Sequence, residues 1–173
     1  MPGWKEAAWF RRNRASPEKL LFICILCIFV SETERPKVHM KKDIILPTVE
    51  DIGIAIVREK NAEGADEWNV YLLNFKLVAI EGVLVTSTGY GELNGEPRKT
   101  STLRHFLDTV GPESFVKIEP IHEQVFGLNN EYWLSFYVQK VMYDKQYVFL
   151  AESISEANCI KVPLVNKKGV LIK

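Results

Sequence analysis

Glu67-Trp-Asn-Val-Tyr-Leu-Leu-Asn74 decides how this chain is read. It is rich in the aromatic and β-branched residues that favour extended backbone, and polar Asn61-Ala-Glu-Gly-Ala-Asp66 precedes it. Side chains alternate along a strand, so Trp68, Val70 and Leu72 share one face and Asn69, Tyr71 and Leu73 the other. The same signature recurs on both sides. Ile52 to Arg58 reads as a strand before it, and Val78 to Ser87 as one after it, joined through the tight connection Asn74-Phe-Lys-Leu77. Glu81-Gly82 interrupts that third strand where a bulge accounts for the glycine.

Further along, Lys99 to Leu107 and Phe115 to Pro120 continue the pattern, with Gly111-Pro-Glu-Ser114 as a turn before the latter. Tyr132 to Val141 and Gln146 to Leu150 form a hairpin expected to turn near Tyr143-Asp-Lys145. Short strands at Cys159–Leu164 and Gly169–Ile172 end the series. Thr102 to Val110 admits a second reading as a short helix, because Leu103, Phe106, Leu107 and Val110 have helical spacing. Turn signals about every ten residues predict about 7–9 strands in an all-β, antiparallel two-sheet sandwich. The expected layout is immunoglobulin-like, without paired cysteines; a barrel is the alternative.

The chain has 173 residues, 47% of them hydrophobic, which suits one domain with a real core. Residues 40–173 are assigned to that domain. Formal charge is zero, but residues 1–39 hold seven Lys/Arg against four Asp/Glu, leaving 15 against 18 in 40–173. An acidic body lacks the clustered positive charge that a nucleic-acid partner requires. Of Cys24, Cys27 and Cys159, only the last lies in the body, so no disulfide framework is expected and a reducing compartment suits it.

Residues 1–39 are a different kind of sequence. Lys5, Arg11, Arg12, Arg14 and Lys19 precede the 11-residue apolar run Leu20–Val30. A basic lead followed by such a run matches a signal peptide, whereas a spanning helix takes ~20 apolar residues. No small-x-small cleavage pattern follows Val30. Three readings stand: translation from a misassigned start with Met40 as the native initiator, an export signal or anchor, or a genuine extension. A cytoplasmic location goes with the first, an exported or membrane-anchored one through residues 20–30 with the second. Cys24-Ile-Leu-Cys27 has redox spacing but lies inside the apolar run, where two small apolar side chains explain it.

Candidate chemistry is sparse. Gly89-Tyr-Gly-Glu-Leu-Asn-Gly95 has the glycines of a phosphate cradle but no following Gly-Lys-Ser/Thr, so it reads as an inter-strand turn. Arg104, His105 and Asp108 offer acid–base groups. On a strand Arg104 and His105 face opposite ways, and no nucleophile accompanies them. Glu119, His122 and Glu123 have ligand chemistry, but no second His or Cys cluster completes a shell, so a solvated polar loop is expected. Trp68, Tyr90, Tyr132, Trp133 and Tyr137 are aromatics for packing or for a partner surface. No catalytic residue, metal or cofactor is expected.

Met40-Lys-Lys-Asp-Ile44, Trp68 to Asn74, Lys99-Thr-Ser-Thr-Leu-Arg-His105, Leu128-Asn-Asn-Glu-Tyr-Trp-Leu134 and Lys168-Gly-Val-Leu-Ile172 carry a family resemblance. Over residues 40–173 the chain resembles small uncharacterised proteins of Bacteroidetes-type bacteria that often bear the label phenylalanyl-tRNA synthetase subunit alpha. The resemblance favours Met40 as initiator. Its label implies a class II catalytic domain with adenylate-holding arginines. The body is too short for that domain and shows no such arginine pattern. The resemblance brings no established catalytic residues. It marks residues 99–105 as the most distinctive segment, and with Tyr90 they give the expected ligand or partner surface: Tyr90, Lys99, Thr100, Ser101, Thr102, Arg104 and His105. The expectation is a non-enzymatic β-sandwich module binding a protein or small ligand through loops. A tRNA-associated protein and an envelope module are the alternatives, membrane contact depending on residues 1–39.

Overall fold

A computed structural model describes residues 47–173. The readings of residues 1–39, of Cys24 and Cys27 and of Met40 as initiator lie outside the described residues. Ten strands follow one another: β1 (Ile52–Lys60), β2 (Asp66–Asn74), β3 (Ile80–Leu93), β4 (Glu96–Lys99), β5 (Leu103–Val110), β6 (Ser114–Ile121), β7 (Asn129–Val138), β8 (Val141–Phe149), β9 (Ile160–Lys161) and β10 (Lys168–Ile172). They make two five-stranded antiparallel sheets. The first has the order β6-β2-β1-β10-β9, and the second β4-β3-β7-β8 with β5 also beside β3. The described residues form an all-β, two-sheet sandwich.

Alternation builds the space between the layers. From the first sheet Ile52, Ile54, Ile56, Trp68, Val70 and Leu72 point inward. They meet Val83, Val85, Tyr132, Leu134, Phe136 and Phe149 of the second. Outward neighbours on the second sheet, such as Leu84, Phe106 and Trp133, stay exposed. The first sheet is buried on its other face as well. Ala55, Val57, Tyr71 and Leu73 pack there against Val162 and Val165 from the segment between β9 and β10. This is why the apolar run Val70–Leu73 is uninterrupted: a strand covered on both faces needs no polar face.

Glycines sit where backbones close in. A Cβ at Gly169 would lie 2.4 Å from the Ile56 carbonyl oxygen, so only glycine lets β10 approach β1 in register. At Gly82 (φ +57) the pairing of β3 slips against both β5 and β7, which is the expected bulge.

Several boundaries differ from the sequence reading. The described residues hold ten strands rather than seven to nine: β4 is too short to announce itself, and the strand expected over Cys159–Leu164 is reduced to the two residues of β9. Gly89 to Leu93 are strand, and the turn is only Asn94-Gly95, with φ 55 and 79. Positive φ at both central residues is the mark of a tight primed hairpin, which Asn-Gly favours. Leu103–Val110 is a strand and not a helix. The β7–β8 hairpin turns at Gln139-Lys140, with Val138 opposite Val141, so Tyr143-Asp-Lys145 lies within β8.

Candidate functional site: a cleft between the sheets

The two sheets part where edge strand β6 faces edge strand β5. Register makes the site. β2 and β6 slip between Val70 and Tyr71, so that Val70 pairs with Glu119 while Tyr71 pairs with Lys117. Ile118 is the extra residue of a β-bulge, and Ile118 and Glu119 both turn inward. A strand without the bulge would send one of them to solvent. Pro120 follows, tolerated because β6 is an edge strand.

Glu119 is thereby placed between the layers, 9% exposed. Across the gap His105 stands opposite Val85 and so faces inward from β5, while Arg104, opposite Thr86, faces out. His105 Nε2 lies 2.9 Å from Glu119 Oε2. A carboxylate there accepts the bond, so the imidazole holds its proton on Nε2, and the pair clasps the open edges of the two sheets.

Beside this clasp opens a cleft of about 210 Å³. Ser87 and Tyr132 form its floor, Glu119 one wall, and Leu103, Ile121 and Val125 its apolar sides. Ser87 is 6% and Tyr132 2% exposed. Burial, with the Glu119 charge beside it, pushes the Tyr132 hydroxyl well above the ordinary phenol range, so it stays protonated. Neither the Ser87 nor the Tyr132 hydroxyl has a hydrogen-bond partner among the described residues. The sole side-chain polar atom there that is both sealed from solvent and unpartnered is Asn69 Oδ1. The two hydroxyls therefore open onto the cleft.

The rim is fixed by hydrogen bonds. Gly89 N–H donates to Thr100 Oγ1 and Thr100 N–H to the Gly89 carbonyl, both at 2.8 Å. A Cβ at Gly89 would sit 2.9 Å from Thr100 Cγ2, so the glycine allows this approach. Thr88 donates to Thr102 at 3.0 Å. Opposite, Asn130 Nδ2 donates to the Val125 and Leu128 carbonyls, and Trp68 Nε1–H donates to Glu123 Oε1 at 2.9 Å. These bonds hold the 3₁₀ turn Glu123–Val125 against the cleft.

Of the expected surface, Thr100 and Ser101 line the cleft, Thr102 braces its rim, and His105 supports Glu119 from behind. Tyr90 and Lys99 face each other across β3 and β4, exposed and away from the cleft. Arg104 is on the outer face. The proposed solvated loop of Glu119, His122 and Glu123 divides: Glu119 is buried, Glu123 holds Trp68, and His122 is exposed. Among the described residues no group of three or more His, Cys, Asp or Glu is gathered to hold a metal. Nor is any helix there long and apolar enough to cross a membrane. Sequence reasoning missed Ser87 and Asn130 and read Tyr132 only as an aromatic; Pro120 within a strand was the available sign of a bulge.

No protein-family model, curated protein or solved structure matches the chain.

Proposed function

We propose that the chain is a non-enzymatic β-sandwich module that takes a small ligand in the cleft between β3, β6 and residues 100–102. One observation carries this. Two hydroxyls without partners among the described residues, and a carboxylate with one oxygen on His105 and the other unpartnered, are withdrawn from bulk solvent yet face open space. Buried polar groups are ordinarily satisfied within the fold, and a concave site with a few convergent polar groups on apolar walls is the general form of a ligand pocket. Binding rather than catalysis is supported by the clasp: the His105 ring nitrogen facing Glu119 is engaged there, and the Ser87 hydroxyl makes no bond to it.

Screening the ¹⁵N-labelled protein against small polar molecules tests the proposal. Ligands are expected to shift the amides of Ser87, Thr100, Ser101 and Asn130 together. Ser87→Leu, which fills the floor, should abolish those shifts while leaving the remaining spectrum dispersed. Ligands that bind Ser87→Leu as well as wild type, or that shift only residues elsewhere, would overturn it.

A further inference from the structure

We infer that the ligand group received by this cleft is a primary ammonium on a short alkyl stem, an inference that rests on the cleft reading above. A second depression shares Pro120, Ile121 and His122 with the cleft and is also lined by Asp66, Glu67 and Glu123. The two linings together hold four carboxylates, Asp66, Glu67, Glu119 and Glu123, and neither Lys nor Arg.

These carboxylates are not equivalent. Asp66 is neutralised by Arg58 at 2.9 Å and Lys60 at 2.8 Å. Glu67 has Lys117 at 3.3 Å. Glu123 accepts from the neutral Trp68 indole, and Glu119 has only the imidazole of His105. Glu119 and Glu123 are thus the carboxylates of these linings with no Lys or Arg beside them, Glu119 giving one oxygen to the His105 imidazole. A carboxylate with no Lys or Arg beside it attracts an incoming cation and repels an incoming anion.

The hydroxyls complete the match. An ammonium has three donors and no acceptor. The second Glu119 oxygen has no partner among the described residues, and Ser87 and Tyr132 each offer lone pairs to the same space. Leu103, Ile121 and Val125 supply apolar surface for methylenes, as stems of lysine pack elsewhere. The cleft of about 210 Å³ equals roughly seven waters at liquid density, enough for a four-carbon chain with its charged head. The same chemistry is presented by a free alkylamine and by a lysine side chain of a peptide.

Titrating the ¹⁵N-labelled full chain with n-butylammonium, butan-1-ol, butyrate and Nα-acetyl-lysine amide tests this. n-Butylammonium should shift Ser87, Thr100 and Ser101 and bind about tenfold more tightly than the alcohol, with butyrate weakest. Glu119→Gln should erase that preference. Where the variant loses spectral dispersion, the comparison of probes on wild type decides alone. Nα-acetyl-lysine amide binding as well as the free amine supports a side chain as the source. Binding of the free amine alone supports a small molecule. If alcohol and ammonium bind the cleft equally, the charge preference is wrong while the cleft reading stands. If no probe moves any cleft amide, the ammonium assignment falls, and the cleft reading is decided by the wider screen of small polar molecules.

Discussion

Glu59 concentrates an acid response in one side chain. It lies on the covered face of the first sheet, 13% exposed, and pairs with Lys167. Tyr71 Oη donates to it at 2.8 Å and Asn69 Nδ2 at 2.6 Å. Burial pushes its carboxyl up, but the bonds from Lys167, Tyr71 and Asn69 together outweigh it and hold the group below its ordinary value of 4.5. The Tyr71 hydroxyl, pushed up to about 12 by burial and then by Glu59, stays a donor throughout the acid range. A depressed carboxyl in the folded state means that the unfolded chain takes up the proton first as pH falls. The stability it contributes is complete above the unfolded value and is lost as pH drops through the folded one. Glu59→Gln should therefore lower the urea midpoint at about pH 6 and decline less than wild type toward about pH 3. Equal acid slopes would rule out this role. Asp66, depressed by bonds from Lys60 and Arg58, leaves some slope in both proteins, but it is exposed and weakly coupled to stability.

At the scale of elements, the hairpins separate what sequence chemistry dictates from what the tertiary fold imposes. Asn94-Gly95 suits its turn. Gln139-Lys140 does not, yet both residues are held at positive φ (49 and 65) because Tyr137 must meet Met142 and Phe136 must stack on Tyr143. Side chains with a Cβ resist that conformation. Replacing the pair with Gln139→Asn and Lys140→Gly should stabilise the protein by about 0.5–1 kcal/mol, read as a higher urea midpoint at unchanged slope. No gain would mean that the turn backbone is not strained. The mislocated turn has the same origin: Tyr143-Asp-Lys145 carries turn chemistry and Gln139-Lys140 carries none, so local composition pointed to the wrong place. Strands β1, β2, β6 and β10 were legible because their apolar content and bounding turn residues agree with their burial. Gly89 and Gly91 were not legible as strand, since their glycines answer to Thr100 and Leu128, which approach from elsewhere in the chain. The cleft divides likewise. Thr100 and Ser101 stood out as a distinctive polar string. Ser87, Glu119 and Tyr132 became a site only through a bulge in β6 and the meeting of two sheets, which no local pattern encodes.

Across the whole molecule the two outer faces are treated differently. The first sheet is covered by the segment between β9 and β10, so the fold has a partial third layer in which Val162 is fully buried against Ala55, Val57, Tyr71 and Leu73. The second sheet turns Leu84, Phe106, Trp133, Tyr137 and Met142 outward, with Phe106 68% exposed. Equal apolar residues should therefore carry unequal weight. Burying a valine is worth about 1.5–3 kcal/mol, whereas a surface substitution usually stays within about 0.5 kcal/mol. Val162→Ser should lower stability by about 2 kcal/mol or more, because it removes buried methyls and leaves a hydroxyl facing Leu73. Phe106→Ser should leave it within about 0.5 kcal/mol. Urea denaturation followed by tryptophan fluorescence separates the two, since Trp68 reports on the interior between the sheets and is itself 6% exposed. If Val162→Ser unfolds with the wild-type midpoint, the β9–β10 segment contributes nothing to the cooperative unit, and the continuous apolar run of β2 would need another cause. If Phe106→Ser proves as costly as Val162→Ser, the outer face of the second sheet is covered in solution.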